Sequence, residues 1–216
     1  MNTYPYVVNG LVLAAGMSSR MQDFKPLMTI QNKTMIEFTV DQLLESGVHQ
    51  VVVVLGHRGE EVRRCLIRRP ERQNRLCFVE NPLYQTTQML ESVKCGLQEM
   101  PLCDRFFLVP GDMPAISQQT YIQLLQHATS AQHKVIFPTV DGYRKHPPLI
   151  RYDCIGDILS FEGQGLRAMW KNYEGQILEL PVRDNGCQID VDFPADYLRV
   201  CDYIAARDPQ SSRLIG

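Results

Sequence analysis

The segment from Leu13 to Lys25 carries the residue types that could hold a polyphosphate. Small residues, Ala14 to Gly16, directly follow an apolar run, and Arg20 and Lys25 add two cations. Small residues let the backbone approach a ligand and point its amide groups at phosphates, whose charge cations can screen. Neither the G-x-G-x-x-G pattern of dinucleotide loops nor the G-K-[ST] ending of a Walker loop is present. An ordinary strand–helix loop is the alternative interpretation.

Two acidic stretches could supply carboxylates to the same site. Asp112 follows an apolar run and stands where open α/β sheets place ligands. Asp190 and Asp192 alternate with apolar residues and would point to one side of an extended segment. Carboxylates can hold Mg2+, which usually bridges to substrate phosphates. The alternatives are a turn aspartate at 112 and favourable charge before a helix that begins at Pro194.

Composition narrows the class of protein. The chain has 216 residues, 44% apolar and 21% charged, with a net charge of -2, which disfavours disorder and a dedicated nucleic-acid binder. No apolar run approaches the roughly 18 residues of a membrane span, and we see no signal peptide. The seven cysteines include no CxxC pair and indicate reduced thiols. These absences predict a cytoplasmic protein.

Strand-like and helix-like segments alternate over most of the chain. This alternation predicts an α/β fold with one doubly wound, mostly parallel sheet. The segment Asp141–Ile150 departs from it and is interpreted as a small hairpin or loop insertion over one edge of the sheet. We expect a single domain over residues 1–216 with loose tails near 1–6 and 208–216. Strands are predicted at 7–13, 51–55, 76–79, 106–109, 135–137, 177–180 and 188–191, and helices at 33–46, 60–67, 89–100, from 117 to about 128, and from 194 to 203.

The ordered motifs resemble those of the nucleotidyltransferase superfamily, and within it the molybdenum cofactor cytidylyltransferase-like (MobA-like NTP transferase) group. The resemblance runs over about residues 8 to 203 and implies a Rossmann-like fold of the nucleotide-diphospho-sugar transferase type. Three motifs carry it: L-A-A-G-x-S-x-R-M with a downstream lysine at Leu13–Met21 and Lys25, Gly-Asp-x-Pro at Gly111–Pro114, and D-x-D-x-P-x-D at Asp190–Asp196. The chain departs from the group in its Lys25-Pro26 order, in Gln22 and in Lys145, which replaces the glycine of Gly-His-Pro.

The resemblance also implies residue roles. The catalytic set would be Arg20, Lys25 and Asp112, and the metal ligands Asp112 and Asp192, with Asp190 as the other candidate for the second ligand. Nucleotide contacts would come from Leu13, Ala14, Ala15, Gly16, Ser18, Gly56, Asn81 and Ser92. On the acceptor side we expect Asp190 and His146, whose loop is stiffened by two prolines.

The function implied is Mg2+-dependent transfer of a nucleoside monophosphate onto a phosphate-bearing acceptor, with release of pyrophosphate. Ala14-Ala15 in place of the Gly-Gly of the guanylyltransferases favours CTP, and the molybdopterin cofactor is the expected acceptor. Partners would then be the nucleotide, this small molecule and a cofactor-receiving enzyme, with no nucleic acid or membrane. Two alternatives stay open: a sugar-1-phosphate nucleotidyltransferase, which Lys25-Pro26 favours, and a non-catalytic nucleotide-binding module in cofactor maturation.

Overall fold

The fold is organised around an eight-stranded sheet. A computed structural model of the chain describes residues 5–17, 21, 23–86, 88–163 and 165–207. In these ranges the strands are β1 (Val8–Ala14), β2 (Thr29–Ile30), β3 (Lys33–Thr34), β4 (Val51–Leu55), β5 (Leu76–Glu80), β6 (Arg105–Pro110), β7 (Val135–Val140), β8 (Tyr143–Arg144), β9 (Leu149–Arg151) and β10 (Ile177–Pro181). Strands β2 and β3 form a separate two-stranded ribbon.

Each of the five predicted helices forms, with small shifts of its ends, and three short helices are added to them. The α-helices are α1 (Met35–Glu45), α2 (Gly59–Ile67), α3 (Pro70–Gln73), α4 (Met89–Gln98), α5 (Gln118–Leu125), α6 (Ile155–Ser160), α7 (Leu166–Met169) and α8 (Pro194–Arg207). Short 3-10 helices cover Lys25–Leu27, Tyr152–Cys154, Trp170–Tyr173 and Asn185–Gln188. Ser117 caps α5 as expected, because its side chain accepts a hydrogen bond from the backbone of Thr120. No helix in the described ranges is both long enough and apolar enough to cross a membrane.

The order of the strands fixes where a ligand can bind. The main path through the sheet is β10-β7-β9-β6-β1-β4-β5, with β8 paired to β7, and β1 is parallel to both of its neighbours, β4 and β6. The chain leaves β1 towards β4 and β5 on one side and later returns to β6 on the other. The strand order therefore reverses between β1 and β6, and open α/β sheets bind ligands in the crevice beyond the carboxyl ends of such strands.

Helices cover both faces of this sheet. All five residues of β4 are buried. Val51, Val53 and Leu55 belong to one apolar cluster with residues of α1, α2 and α5. Val52 and Val54 belong to a second cluster with residues of α4, α6 and α7. A strand buried on both faces is typical of a doubly wound α/β protein, so the predicted fold class is confirmed.

The hairpin expected in the segment Asp141–Ile150 forms, but its predicted position over one edge of the sheet is wrong. The turn at 141–142 does form a hairpin between β7 and β8, but the chain then enters the sheet as β9, antiparallel to β6 and β7. Leu149 and Ile150 are fully buried, so their burial favours an internal position. Pro147 and Pro148 precede β9 and remove no hydrogen bond from its pairing.

The prediction of a strand at 188–191 is also wrong. Residues 185–188 form a 3-10 helix, and residues 189–193 belong to no strand. The apolar alternation has another cause, because Ile189 and Val191 pack in a third cluster with residues of α1, α8 and the β2–β3 ribbon. Alternation alone does not distinguish a paired strand from an extended segment that lies on other elements.

The first described residues of the chain are packed against the rest of the fold. Tyr6, which was expected in a loose tail, packs against the core, and its hydroxyl donates a hydrogen bond to the carbonyl of Leu125. Residues 1–4 and 208–216 lie outside the described ranges.

Gly186 brings the segment after β10 against the loop after β6. A Cβ at this position would lie 2.0 Å from the carbonyl oxygen of Ala115, a backbone atom that cannot move aside. We predict that Gly186→Ala lowers the free energy of unfolding by about 2–3 kcal/mol in urea titrations, because such overpacking forces the backbone apart.

Gly156→Ala in α6 is the matched control, since a Cβ there meets nothing within 4 Å. It should leave stability unchanged or raise it by about 0.5–1 kcal/mol. Equal stability of the two variants would contradict the proposed backbone contact.

Candidate active site

The loops that follow β1 and β6 lie side by side. The two strands pair as far as Leu13 and Pro110, and the backbone N–H of Gly111 donates a 2.8 Å hydrogen bond to the carbonyl of Leu13. A Cβ on Gly111 would come within 2.9 Å of that same oxygen and of Ile36. Glycine is therefore needed at 111 for this close approach, which places Asp112 next to the small-residue loop.

A small cavity of about 240 Å³ opens at this crevice. Its lining includes five of the residues expected to bind nucleotide and two expected to catalyse. The lining residues are Leu13, Ala14, Ala15, Gly16, Lys25, Pro26, Tyr84, Gln88, Met89, Ser92, Pro110 and Asp112. Ser18 and Arg20, which belong to the same predicted set, lie outside the described residues.

Gly56 and Asn81 support this cavity from behind. A Cβ on Gly56 would lie 2.6 Å from the carbonyl oxygen of Ala15, so glycine is required for the two loops to pack. The buried Asn81 side chain donates a 3.0 Å hydrogen bond to Oγ of Ser92 and accepts one from the backbone of Leu83. The structure thus uses these two residues to hold the walls of the cavity.

Two of the three predicted acidic residues converge on one point, and Lys25 stands there. Its Nζ lies 3.3 Å from Oδ2 of Asp112 and 2.9 Å from Oδ1 of Asp192. Lys25 is only 8% exposed. It begins the 3-10 helix Lys25–Leu27, in which Pro26 fixes the first turn. Segments that are far apart in sequence are therefore joined through a single buried ammonium group.

The backbone of Asp192 is itself held by a carboxylate. Asp196, in the first turn of α8, accepts hydrogen bonds from the backbone N–H groups of Asp192 at 3.2 Å and Phe193 at 2.9 Å. Because Ile189 and Val191 are buried in the third cluster, the intervening side chains of Asp190 and Asp192 point away from it. The last aspartate of the D-x-D-x-P-x-D motif therefore positions the metal candidate Asp192.

Earlier in the same segment, the buried side chain of Asp184 holds the backbone in place. It accepts hydrogen bonds from the backbone N–H of Ser117 at 2.8 Å, Oγ1 of Thr120 at 2.7 Å and the N–H of Gly186 at 3.0 Å. Burial alone would raise the pKa of Asp184, but the hydrogen bonds from Thr120 and Ser117 and the charge of Arg207 hold the pKa below its usual value. Asp184 ties the segment that carries Asp190 and Asp192 to the start of α5.

A large cavity of about 630 Å³ adjoins the small one, and the two share Leu13, Met89, Pro110 and Asp112. His146 and Asp190, the residues expected on the acceptor side, line it together with Asp192. Its floor and rim are formed by apolar and basic residues, among them Leu108, Phe137, Trp170, Arg144, Lys145 and Arg167. The predicted nucleotide and acceptor residues are therefore separated into two connected spaces.

His146 and Asp190, which both line the large cavity, have shifted pKa values. Burial lowers the pKa of His146, although a backbone hydrogen bond with Leu108 and the charges of Asp190 and Asp112 oppose the shift. Burial and the like charge of Asp112 raise the pKa of Asp190. Among the described residues, the buried Nδ1 atom of His146 has no hydrogen-bond partner. Carboxylates are thus concentrated at this junction, beside a buried imidazole whose pKa is lowered.

The donor set suits a hard divalent cation. Asp112 and Asp192 offer carboxylate oxygens that already converge on one cation, and Mg2+ prefers oxygen ligands. Within the described part of the chain, no group of three or more His, Cys, Asp or Glu residues could hold a metal ion. A cation here would take its remaining ligands from water or from a bound phosphate, as Mg2+ usually does.

Several lining residues were not predicted. The small cavity is also lined by Tyr84, Gln88 and Met89, which lie between Asn81 and Ser92 in the sequence. The large cavity is also lined by Trp170 and Arg167. The position of the β5–α4 loop at the carboxyl end of a strand next to β4 was the available signal for the first three. Trp170 and Arg167 carry no such signal, since aromatic and basic residues on helices are most often core or solvated surface.

A family model described as the MobA-like NTP transferase domain matches residues 10–177, from β1 to the first residue of β10. The chain belongs to the MobA-like NTP transferase family. It is a nucleotidyltransferase of this type, as the named relatives and structural neighbours are. The resemblance inferred from the motifs is therefore confirmed.

Curated relatives carry both cytidylyl- and guanylyltransferase names. The molybdenum cofactor cytidylyltransferase of Escherichia coli (strain K12) is 26% identical over 149 residues, which cover 68% of this chain and 72% of that protein. A probable molybdenum cofactor guanylyltransferase of Bacillus cereus (strain ATCC 10987 / NRS 248) is 31% identical over 144 residues, 66% of each chain. The bifunctional protein GlmU of Staphylococcus haemolyticus is 30% identical over 135 residues, but the match spans only 28% of its length.

Solved structures share the fold at lower identity. A nucleotidyl transferase from Methanothermobacter superposes with a TM-score of 0.80 at 23% identity and covers 94% of this chain and 99% of its own. Rv0371c of Mycobacterium tuberculosis H37Rv, solved as a manganese complex, gives 0.68 at 21% identity, with coverages of 91% and 98%. A CMP:2-keto-3-deoxy-manno-octonic acid synthetase complexed with CTP gives 0.71 at 14% identity, with coverages of 94% and 99%.

The lowered pKa of Asp184 predicts an acid-sensitive anchor. A carboxylate whose folded-state pKa is depressed stabilises the fold above its unfolded-state pKa of about 3.9, and this stability is lost as the pH falls through the folded value. Asp184→Asn should therefore lower the unfolding free energy by about 2–3 kcal/mol at pH 7, and the deficit should shrink below about pH 4.

Urea titrations from pH 3 to pH 7 measure this deficit. Asp202→Asn makes the same chemical change at an exposed position on α8 and should stay close to the wild type. A deficit for Asp184→Asn that is the same at pH 3 and pH 7 would show that the charge of Asp184 does not stabilise the fold.

Proposed function

We propose that this protein is a Mg2+-dependent cytidylyltransferase that moves CMP from CTP onto a phosphate-bearing acceptor, the molybdopterin cofactor, and releases pyrophosphate. The position of Asp112 is the observation that carries the proposal. It lines both cavities and, with Asp192, closes on one cation position. A group at this junction is placed to act where a nucleotide in one space meets an acceptor in the other.

The small cavity is the proposed nucleotide site. The backbone of Leu13–Gly16 would face the phosphates, and Ser92, held by Asn81, would contact the ribose or base. Lys25 lines this cavity and would carry positive charge to the phosphates, together with Ser18 and Arg20 from the sequence motif. Ala14 and Ala15, together with the cytidylyltransferase relative, favour CTP, whereas the guanylyltransferase relatives make GTP the necessary comparison.

Asp112 and Asp192 are the proposed metal ligands. Both carboxylates already bind one cation, whereas Asp190 lines the large cavity on the acceptor side. When bound, Mg2+ would polarise the α-phosphoryl oxygen of the nucleotide. The manganese complex of Rv0371c, a protein of the same fold, supports a divalent metal in this architecture.

The proposed chemistry is an in-line displacement. An oxygen of the acceptor phosphate forms a bond to the α-phosphorus, the bond from that phosphorus to its bridging oxygen breaks, and pyrophosphate leaves with that oxygen. A phosphate nucleophile is already ionised at pH 7, so no general base is required. The protein then acts by positioning the two phosphates and by neutralising charge, in which Lys25 stabilises the departing pyrophosphate.

The large cavity is the proposed acceptor site. His146 presents an imidazole that burial keeps uncharged, and its Nδ1 has no hydrogen-bond partner in the described structure. It is therefore suited to contact a polar group of the acceptor. Asp190 lies beside it, and Trp170 supplies an aromatic floor. Transfer of the product to a cofactor-receiving enzyme is part of the same proposal.

The two alternative functions make different predictions. The Lys25-Pro26 order favours a sugar-1-phosphate acceptor, for which pyrophosphate release would appear with a nucleoside triphosphate and a sugar phosphate. A non-catalytic binding module would be stabilised by nucleotide, since a ligand that binds only the folded state raises its stability, but it would release no pyrophosphate.

We predict pyrophosphate release when the protein is mixed with CTP, Mg2+ and molybdopterin, with lower rates for GTP, UTP and ATP. Asp112→Asn and Asp192→Asn should each lower the rate by about 10²–10³, the usual effect of removing one charge-stabilising group. Asp202→Asn on α8 is the control and should retain the wild-type rate. A wild-type rate for Asp112→Asn would overturn the assignment of this carboxylate.

His146→Gln should raise the KM for the acceptor by about tenfold and leave the KM for CTP unchanged. The reason is the loss of one buried hydrogen bond on the acceptor side, worth about 1–1.5 kcal/mol. Steady-state kinetics with each substrate varied in turn measure both constants. A change confined to the KM for CTP would place His146 on the nucleotide side instead.

A further inference from the structure

The Lys25 ammonium stands at the point where the proposed metal ligands meet. Its Nζ is 2.9 Å from Asp192 and 3.3 Å from Asp112, within hydrogen-bond reach of both carboxylates. A metal ion held by the same two carboxylates would have to share this space. Two cations a few ångströms apart in a partly buried site repel each other strongly, so the ammonium and a divalent ion compete.

The backbone of Lys25 is fixed, but its side chain can reach both the carboxylate pair and the small cavity. Phe24 is buried, Pro26 restricts the first turn of the 3-10 helix, and the N–H of Met28 donates a 3.0 Å hydrogen bond to the carbonyl of Lys25. The lysine side chain is a flexible four-carbon stem with a compact charge. Because Lys25 also lines the small cavity, its ammonium can turn towards bound phosphates without any movement of the backbone.

The described residues offer few ligands to a divalent ion. No group of three or more His, Cys, Asp or Glu residues among them could hold a metal ion, so a cation on Asp112 and Asp192 would need further ligands such as water. Triphosphate oxygens would supply the missing ligands and at the same time attract the ammonium group.

We propose that Lys25 is a built-in counter-ion that keeps divalent metal out of the free protein, and that the triphosphate releases the metal site by drawing Lys25 to itself. Metal and nucleotide then bind as one coupled event, and by linkage each raises the affinity for the other by the same factor. This inference rests on the proposed function, because it takes Asp112 and Asp192 as the metal ligands.

Mn2+ alone, titrated into the protein without nucleotide and followed by calorimetry or by the electron paramagnetic resonance of free Mn2+, tests the inference. Lys25→Met removes the competing charge and should bind Mn2+ at least tenfold more tightly than the wild type. Lys25→Gln, which keeps a hydrogen-bond donor for the two carboxylates, should show the same gain and serves as a second variant.

Lys171→Met is the matched control, because it removes one lysine charge at an exposed position in the 3-10 helix Trp170–Tyr173. Its Mn2+ affinity should equal that of the wild type. Adding Asp192→Asn to Lys25→Met should remove the gain, which would place the bound Mn2+ at the carboxylate pair. A second readout is the Tm, which Mn2+ alone should raise clearly in Lys25→Met and little in the wild type.

Equal or weaker Mn2+ binding by both Lys25 variants than by the wild type would overturn the inference, and so would an equal gain in Lys171→Met. Its failure is distinguishable from failure of the proposed function. If the wild type releases pyrophosphate from CTP but the Lys25 variants gain no Mn2+ affinity, only the counter-ion role is wrong. If no nucleotide with Mg2+ stabilises the wild type, the proposed function itself is wrong.

Discussion

The structure depends on holding like charges together at one place. Asp112 and Asp192 come from loops 80 residues apart and meet at the ammonium of Lys25. Carboxylates at this separation repel unless a cation lies between them, and the raised pKa of Asp190 beside Asp112 reports the same crowding of negative charge. In the proposed function, the fold would have to keep these groups in position whether the cation is the lysine or a metal ion.

Several packing features meet this requirement. The reversal of strand order between β1 and β6 opens the crevice, and Gly111 allows the two loops to lie against each other. On the other side, Gly186 fits against Ala115, and Asp196 fixes the backbone of Asp192. Each of these features fixes the position of the backbone. Close main-chain packing therefore determines where the charged side chains of the site lie.

Asp112 lines both cavities, so in the proposed function one carboxylate pair would serve both substrates. A nucleotide in the small cavity and an acceptor in the large one would meet at the junction where negative charge is concentrated. The proposed chemistry then needs orientation and charge neutralisation more than a strong base, which agrees with a site whose histidine is buried and has a lowered pKa.

Local patterns were sufficient for most of the fold and for part of the site. The all-apolar β4 and the periodic α1 could be read directly, and Leu13–Gly16 and Asp112 stand at strand ends, where ligands bind. The internal position of β9 and the unpaired segment at 189–193 could not, because both depend on which distant element offers a partner. Trp170 and Arg167 carry no such signal, and only the tertiary structure brings them to the large cavity. Gly56 and Asn81 are expected to contact the nucleotide; in the structure Gly56 packs against Ala15, and Asn81 donates a hydrogen bond to Ser92 in the wall of the small cavity.

A crystal structure with Mn2+ and a CTP analogue that cannot release pyrophosphate tests the central claim most directly. We predict an anomalous Mn2+ peak between Asp112 and Asp192, with the triphosphate in the small cavity and the Lys25 ammonium in contact with its phosphates. A nucleotide bound away from the small cavity, or one bound there while Lys25 still bridges both carboxylates and Mn2+ lies elsewhere, would contradict it.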